Sequence, residues 1–274
     1  MFYVYLRANQ LTTKLHSGQF DIPPNVSYKQ LADILTGKTQ QLFRVTIPEG
    51  YTIQEIADEL EAQQIISNAK QFLNYIKTKK TTAINSYISK QTLPSFEGLF
   101  FPDTYYFSRH SSFDTVYKTF IKRFNDVFVS EYKKVKQPKL TFYQTLILAS
   151  IIEKEAGTVH EMPIISGVFH NRLRKKMFLA SCPTVGYAMG KPRKKSLTYK
   201  DLKYKSPYNT YNNKGLPPSP IASPGKKAFQ AALFPAKTPY LYFVSKNDAT
   251  GTHVFSLTLN EHLKNQQKIL SKSR

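Results

Sequence analysis

The sequence lacks tryptophan, has only one cysteine, and contains no long apolar run; each shortage excludes something. Cys182 alone cannot form an internal disulfide or supply a cysteine-rich metal site. No stretch reaches the roughly 18 apolar residues that a membrane-spanning helix needs. The opening run from Met1 to Leu6 is too short for a signal peptide and lacks its basic leader. If the protein works outside the cytoplasm, we expect its targeting segment to lie outside these residues.

Acidic residues are scarce, at 18 against 39 basic residues, which gives a formal net charge of +21. Such a charge attracts polyanions: nucleic acid, anionic lipid headgroups or an anionic wall polymer. The basic clusters at 77–80, 133–134 and 193–195 are scattered along the chain rather than gathered on one predicted helix. We therefore expect no nucleic acid partner, although the charge keeps nucleic-acid binding as an alternative.

The chain does contain enough apolar material for a folded core. Of its 274 residues, 41% are hydrophobic and 14% aromatic, which is typical of a globular protein. The length suits one large domain or two modest ones. A change in composition near residues 91–94 predicts an N-terminal region over 1–93 and a second region over 94–274.

Short strands and helices are predicted to alternate in the N-terminal region. Phe2 to Leu6 and Gln19 to Ile22 indicate extended segments. A strand at 42–47 follows, and a helix is predicted to begin after Thr52. Glu55 lies at the third helical position, where its side chain can complete a capping box with Thr52.

The most informative segment is 140–157, LTFYQTLILASIIEKEAG, which predicts a helix ended by Gly157. Projected at about 100° per residue, its apolar residues form one stripe with Glu155 in the middle. That stripe consists of Ile147, Leu148, Ile151 and Ile152. Ala149, Ser150 and Glu153 fall on the opposite, more polar face. We therefore expect Glu153 to be solvated or paired, and Glu155 to point toward the core.

A carboxylate on the apolar side of a helix is costly to bury. Desolvation raises its pKa and keeps it protonated closer to neutral pH, as a general acid requires. Cleavage of glycosidic bonds is a standard use of such a group. Periodicity leaves an alternative open, in which Glu155 turns to solvent or pairs with Arg172 or Arg174.

Three stretches resemble a known family: FEGLFFPDTYYF at 96–107, LASIIEKEAG at 148–157, and a long block at 206–256 that begins SPYNTYNNKGLPP. They are similar to the signature blocks of MltG-type (YceG-like) endolytic murein transglycosylases. A further stretch, 168–190, lies between them in the expected place. The resemblance runs from about residue 17 to residue 268.

The resemblance implies an α+β fold, with a small LysM-like α/β subdomain in 1–93 and a mixed α+β catalytic domain in 94–274. Residues 45–67 would be the recognisable part of the LysM-like subdomain, although on motif strength alone any strand-to-helix unit explains them. Family members are single-pass inner-membrane proteins with the catalytic region in the periplasm or outside the cytoplasm. Their membrane anchor would lie outside this chain.

The family's catalytic residue is the second acid of its EKE motif, which is Glu155 here. The resemblance implies cleavage between N-acetylmuramic acid and N-acetylglucosamine in nascent peptidoglycan, with 1,6-anhydro ends, ending strand elongation. It implies no cofactor and no metal, and peptidoglycan synthases as partners. A lysozyme-type hydrolase would need a second acid, for which Glu97 and Asp103 are the candidates. We expect both residues to contribute to substrate binding.

Tyr208, Asn209 and Tyr211 carry ring, amide and hydroxyl groups suited to sugar binding, with a structural turn as the alternative. Asn171 is a further candidate contact, with packing as its alternative. Cys182 stands where the family usually has an acid before PT. This departure motivates a second hypothesis, a peptidoglycan-binding protein with weak or lost activity.

Overall fold

The computed structural model describes residues 1–17, 20, 22, 24–37, 42–79, 84–88, 93–194 and 196–272. In that part of the chain the fold is mixed α+β, as the sequence predicts, with short strands in two separate two-stranded antiparallel sheets. The helices are α1 (Phe2–Ala8), α2 (Tyr28–Leu35), α3 (Ile53–Ala62), α4 (Ala69–Lys77), α5 (Phe113–Phe124), α6 (Ser130–Tyr132), α7 (Phe142–Glu155), α8 (Met162–Arg174), α9 (Cys182–Ala188), α10 (Tyr199–Leu202), α11 (Lys226–Leu233) and α12 (Leu259–Lys272). The strands are β1 (Phe43–Thr46), β2 (Thr104–Phe107), β3 (Tyr242–Ser245) and β4 (His253–Ser256).

The first segment is a helix, α1, so the predicted strand from Phe2 to Leu6 is wrong. Phe2, Tyr5 and Leu6 are spaced to share one helical face. The rings of Phe2 and Tyr5 lie 5.7 and 6.2 Å from the ring of Tyr28 in α2, between centroids. A helix satisfies its own backbone hydrogen bonds, whereas a strand here would need a partner strand. The other predicted extended segment, Gln19 to Ile22, falls partly on residues outside the described part.

The predicted capping box at the start of α3 is confirmed. The Glu55 amide donates to Thr52 Oγ1 at 3.2 Å, and Glu55 Oε2 accepts from the Thr52 amide at 2.8 Å. The predicted strand before it is β1. It pairs antiparallel with β2, with Phe43 opposite Phe107 and Thr46 opposite Thr104. The order is therefore β1–α3–α4–β2, and β2 lies beyond residue 94, where the composition changes.

A single hydrophobic cluster joins this unit to the rest of the fold, from Val45 of β1 to Ala232 of α11. The chain from Phe113 runs through α5, a π turn at Asn125–Val129, and α6. The apolar face of α5 is buried, and Phe120 stacks on Phe100 with 4.6 Å between ring centroids. No helix among the described residues is both long enough and apolar enough to cross a bilayer.

Helix α7 is buried on all sides, so the predicted polar face is wrong. Ala149 and Ser150 are both 0% exposed, because α8 and α11 pack around α7. Ser150 satisfies its hydroxyl inside the core by donating to the Ile147 carbonyl at 2.7 Å and accepting from the Ile221 amide at 3.0 Å. A helix that is apolar all round is a central core helix, and α7 holds that place here.

The β3–β4 hairpin lies against the end of α7, and two glycines make this approach possible. A Cβ atom added at Gly157 would sit 2.2 Å from the carbonyl oxygen of Gly251, just before β4. Real Cβ atoms do not approach backbone atoms this closely, so Gly157 is required by packing rather than by its own dihedral angles. The contact fixes His253 of β4 relative to Glu155.

Candidate active site

Glu155 is the last residue of α7, and the start of α9 meets its carboxyl group. The chain leaves the helix at Ala156, which has φ −75° and ψ 120°. Ser181, just before α9, donates its hydroxyl to Glu155 Oε1 at 2.6 Å. The backbone amide of Cys182 also hydrogen-bonds the carboxyl group. Two donors from one short segment therefore fix the orientation of the carboxyl group.

Burial raises the pKa of Glu155. Its hydrogen bond from Ser181 and the charges of His253 and Arg172 oppose that rise, because each favours the carboxylate. The C-terminal end of a helix also disfavours a negative charge. Glu155 is therefore held more readily protonated than an ordinary glutamate, yet beside groups that stabilise its anion. A residue that gives up a proton and later takes one back needs both properties.

Arg172 of α8 supplies a fixed positive charge near Glu155. Its guanidinium donates to the carbonyls of Leu241 and Leu179 at 2.6 and 2.7 Å, and lies 5.1 Å from the ring centre of Tyr242. Among the described residues, neither Arg172 nor Arg174 forms an ion pair with Glu155. Arg174 instead donates to Asn171 Oδ1 at 3.0 Å. The paired alternative that periodicity left open is therefore not observed.

His253 of β4 is the second basic group near Glu155. Its Nδ1 lies 2.7 Å from Glu161 Oε2, and its backbone amide donates to Glu161 Oε1 at 3.0 Å. Because a carboxylate only accepts, Nδ1 carries the proton of this hydrogen bond. Glu161 therefore fixes the imidazole ring and its tautomer.

Ser181 is a residue of this candidate site that the sequence did not reveal. Its amide donates to Thr210 Oγ1 at 2.9 Å, and its carbonyl accepts from Thr184 Oγ1 at 2.7 Å. The hydroxyls of Thr184 and Thr210 lie 2.9 Å apart. A serine followed by proline two residues later is a helix-start signal, which locates α9 but not the carboxyl group that Ser181 meets.

We expect Ser181→Ala to raise the pKa of Glu155 further, because the lost hydrogen bond stabilises the carboxylate. For a reaction in which Glu155 is the acid, the basic limb of the pH–rate profile should move to higher pH, and kcat should fall about three- to tenfold. Ser166→Ala is the matched control, since its buried hydroxyl has no partner among the described residues. An unmoved basic limb in Ser181→Ala would contradict the assigned role of this hydroxyl.

The predicted loop residues have different surroundings. Tyr211 lies near Glu155 through Cys182, since its hydroxyl is 3.1 Å from the exposed Cys182 sulfur. Asn209 is 0% exposed; its amide group donates to the carbonyls of Leu202 and Tyr204 and accepts from the Tyr211 amide. Asn209 therefore holds the loop that presents Tyr211. Its internal hydrogen bonds agree with the structural-turn alternative.

Asn171 and Asp103 are likewise engaged within the protein. Asn171 is 9% exposed and donates to the carbonyls of Thr238 and Tyr240 at 2.7 and 3.0 Å, which positions the segment before β3. Asp103, next to β2, pairs with Arg123 of α5 at 2.6 Å. These contacts place Asp103 on the β1–β2 side of the fold. The structure does not bring it to Glu155.

Glu97 and Tyr208 lie toward the opposite end of α9 from Glu155. Glu97 is 2% exposed, accepts from the Ile53 amide at 2.8 Å, and accepts from the Tyr187 hydroxyl at 3.2 Å. The rings of Tyr187 and Tyr208 lie 5.1 Å apart between centroids. Burial raises the pKa of Glu97 to about 8. Glu97 is therefore a neutral acid at pH 7. Helix α9 lies between Glu97 and Glu155 and separates them.

We expect the free energy of unfolding to fall as pH rises from about 5 to about 8. The folded pKa of Glu97 is raised from 4.5 to about 8, so the folded state binds more protons in this window. The stability that Glu97 contributes is fully present below its pKa in the unfolded state, and it is lost as pH rises through its pKa in the folded state. One pKa unit is ~1.4 kcal/mol, so the loss is on the order of 3 kcal/mol.

Glu97→Gln should remove the part of this slope that Glu97 contributes, on the order of 3 kcal/mol, in urea unfolding measured across the same pH range. The amide oxygen can accept from Ile53 and the amide nitrogen can donate to Tyr187, so the pocket tolerates the change. A residual slope of the same sign remains, because burial also raises the pKa of Glu153, to about 7, and the pKa of Glu155. A full slope in Glu97→Gln would show that this carboxyl group is not the titrating one.

Glu153, which we expect to be solvated or paired, is half-buried, and its carboxyl group accepts from the Gly225 amide at 3.0 Å. It forms no ion pair among the described residues. Its neighbour Lys154 donates to the Gly50 carbonyl at 3.2 Å. The two acids of the EKE sequence therefore face different parts of the molecule, and Glu155 alone meets α9.

The fold and this site define a class of protein: a mixed α+β protein with one desolvated glutamate, held between hydroxyl, amide and basic groups, equipped for general acid–base catalysis. The chain belongs to the YceG-like family, whose sequence pattern matches residues 1–268. It is 40% identical over 249 residues to the endolytic murein transglycosylase of Bacillus subtilis (strain 168), covering 87% of this chain and 68% of that one.

Two further likenesses agree with this membership. The chain is 28% identical over 258 residues to the endolytic murein transglycosylase of Streptococcus pneumoniae serotype 2 (strain D39 / NCTC 7466), covering 85% of this chain. It spans 47%, about half, of the length of that relative. A yceG-like protein of Listeria monocytogenes, known from a crystal structure, superposes with a TM-score of 0.74 at 34% identity, covering 96% of this chain and 89% of the other.

Proposed function

We propose that this chain is an endolytic lytic transglycosylase, which cleaves glycan strands of peptidoglycan internally without water. Glu155 protonates the oxygen that joins C1 of N-acetylmuramic acid to C4 of N-acetylglucosamine, and the C1–O bond breaks. The muramyl 6-hydroxyl oxygen then bonds to C1, and its proton returns to Glu155. The products are a strand with a 1,6-anhydromuramyl end and a strand with a free 4-hydroxyl.

One observation carries this proposal: the two candidates for a hydrolase's second acid are held away from Glu155, with Glu97 at the far end of α9 and Asp103 paired with Arg123. The groups that act on the Glu155 carboxyl group include the Ser181 hydroxyl, the Cys182 amide, and the basic groups of His253 and Arg172. A hydrolase that activates water needs two carboxyl groups at a defined separation. A nucleophile within the substrate needs only one, since the same carboxyl group acts first as acid and then as base.

The basic groups suit the second half of this reaction. When Glu155 has given up its proton, Arg172 and His253 stabilise the carboxylate that remains. Their positions are fixed by backbone carbonyls and by Glu161, so they need little rearrangement during the reaction. Tyr211, presented beside Cys182, offers a ring and hydroxyl for a bound sugar. Tyr208 offers a second ring farther along α9.

We also propose that the β1–α3–α4–β2 unit is a LysM-like glycan-binding subdomain. Its support is the order strand–helix–helix–strand with the two strands paired.

We further propose that the catalytic region acts outside the cytoplasm, tethered by a single-pass inner-membrane anchor. There it would end the elongation of nascent strands beside peptidoglycan synthases. An enzyme anchored in the membrane in this way could reach nascent strands that lie outside the cytoplasm.

Digestion of purified peptidoglycan tests the reaction. We expect mass spectrometry to find 1,6-anhydromuramyl ends, 18 Da lighter than hydrolysed ends because no water is added, and new strand ends within chains rather than released terminal units. Ordinary reducing ends would instead identify a hydrolase and exclude the intramolecular nucleophile.

The second candidate is a peptidoglycan-binding protein with weak or lost activity. It is favoured by Cys182, an exposed thiol next to Glu155 at a position where the family usually has an acid. Sedimentation with peptidoglycan sacculi, combined with the digest, separates the two candidates. Binding without new ends would favour the second.

A further inference from the structure

A cavity of about 880 Å³ lies between the first turn of α3 and the end of α9. Nothing in the proposed catalytic step uses it. The α3 side of the cavity contributes Thr52 and Glu55, and the α9 side contributes Tyr187, Lys191 and Arg193. The buried acid Glu97 also lines it. Its size is that of a typical ligand site.

The cavity and Glu155 are joined by a single short helix. Cys182, the first residue of α9, hydrogen-bonds Glu155 through its amide, while Tyr187 and Ala188 at the other end line the cavity. Seven residues of helix span about 10 Å. This separation is within the span of a neighbouring unit, or of its substituent, in a polymer whose scissile bond lies at Glu155.

The cavity carries a positive excess at neutral pH. Glu55 is neutralised by an ion pair with Arg193, and Lys194 pairs with Asp201 at 2.6 Å. Glu97 is protonated there, because burial raises its pKa to about 8. No carboxylate among the described residues pairs with the exposed Lys191. The first turn of α3 adds the positive end of its helix dipole.

Among the described lining residues, Tyr187 is the one aromatic side chain. Its hydroxyl is donated to Glu97, and its ring packs against the ring of Tyr208 with 5.1 Å between centroids. The ring of Tyr51, the residue before the lining residue Thr52, lies 4.7 Å from the guanidinium of Arg193. What remains available is the Lys191 ammonium, with three donors, in a partly enclosed space. These features suit an anionic, extended ligand better than a neutral saccharide.

We propose that this cavity binds the carboxylate-bearing stem peptide of a muramyl unit next to the scissile bond. This inference rests on the proposed function, since that function supplies a strand whose anionic groups are its peptide carboxylates. Lys191 binds a stem carboxylate, and the walls formed by α3 and the segment 188–194 enclose the peptide. The enzyme thereby selects peptide-bearing strands over bare glycan.

The first test compares two substrates on the full chain: uncross-linked strands with intact stems, and the same strands after an amidase has removed the stems. We expect a higher kcat/KM on the stem-bearing strands. Lys191→Gln should lower the ratio of the two kcat/KM values about three- to fivefold, the size of one partly exposed ion pair. Lys205→Gln, an exposed lysine outside the cavity, should leave the ratio unchanged. Equal cleavage of both strands, or a ratio that Lys191→Gln does not change, would overturn the proposal.

A second test does not depend on cleavage. A fluorescent stem pentapeptide is titrated onto Glu155→Gln, and the same peptide with its carboxylates amidated serves as the comparison. We expect weaker binding after amidation, after Lys191→Gln, and at higher salt. Equal binding of both peptides overturns the cavity assignment even if cleavage is observed. Lys191-dependent binding without cleavage of either strand supports the assignment and excludes the proposed activity.

Discussion

Glu155→Gln should lower the rate of glycan cleavage by about 10³-fold, the usual contribution of a positioned general acid. The amide has the shape of the carboxyl group, and its oxygen can still accept from Ser181. It cannot release a proton to the glycosidic oxygen or take one from the muramyl hydroxyl. The measurement is the rate at which anhydro ends form from peptidoglycan, together with a thermal melt to show that the fold persists.

Glu153→Gln is the matched control, because Glu153 lies two residues earlier on the same helix and also has a raised pKa. Its carboxyl group accepts from Gly225 and does not meet α9. We expect at most a few-fold change in rate. If Glu153→Gln abolished cleavage and Glu155→Gln did not, the catalytic assignment would belong to the other acid.

Helical periodicity predicted Glu155 as the candidate residue, and the structure supports only part of the reasoning behind that prediction. The projection correctly placed Glu155 with the apolar stripe, but it left Ser150 and Glu153 on a polar face that does not exist. A periodic pattern records how one helix is amphipathic. It does not record that α8 and α11 cover the remaining sides. What distinguishes Glu155 is the arrival of Ser181, 26 residues away, and that contact has no local signal.

The fold divides in the same way into local and distant features. Capping at Thr52 follows from side chains three residues apart, so the start of α3 was predictable. The pairing of β1 with β2 joins residues 58 positions apart at Thr46 and Thr104. The boundary predicted from composition falls between these two strands, because composition records which residue types are frequent in a segment and not which strands pair. Likewise, Glu97 was predicted as a site residue, but only the structure shows that it lies at the far end of α9.

Gly157→Ala should destabilise the protein and impair catalysis together. The new Cβ would lie 2.2 Å from the Gly251 carbonyl oxygen and 2.8 Å from its carbonyl carbon, and both are backbone atoms that no rotamer change can move. The β3–β4 hairpin must therefore shift away from the end of α7. Overpacking of this kind costs about 3 kcal/mol, which lowers Tm by roughly 5–10 °C in a chain of this size.

The shift also moves His253 relative to Glu155, since the hairpin carries one and α7 the other. A displacement of about 1 Å near reacting groups can cost up to 10²-fold in rate, so we expect kcat to fall at least about tenfold. Gly215→Ala separates this effect from the loss of a glycine as such. Gly215 has φ +85° and no atom within 4 Å of its added Cβ, so only left-handed strain of about 1 kcal/mol applies. Equal melting temperatures and equal kcat in the two variants would show that the Gly157–Gly251 contact does not position the hairpin. A selective loss in Gly157→Ala would show that it does, because only there does backbone packing link stability to the geometry around Glu155.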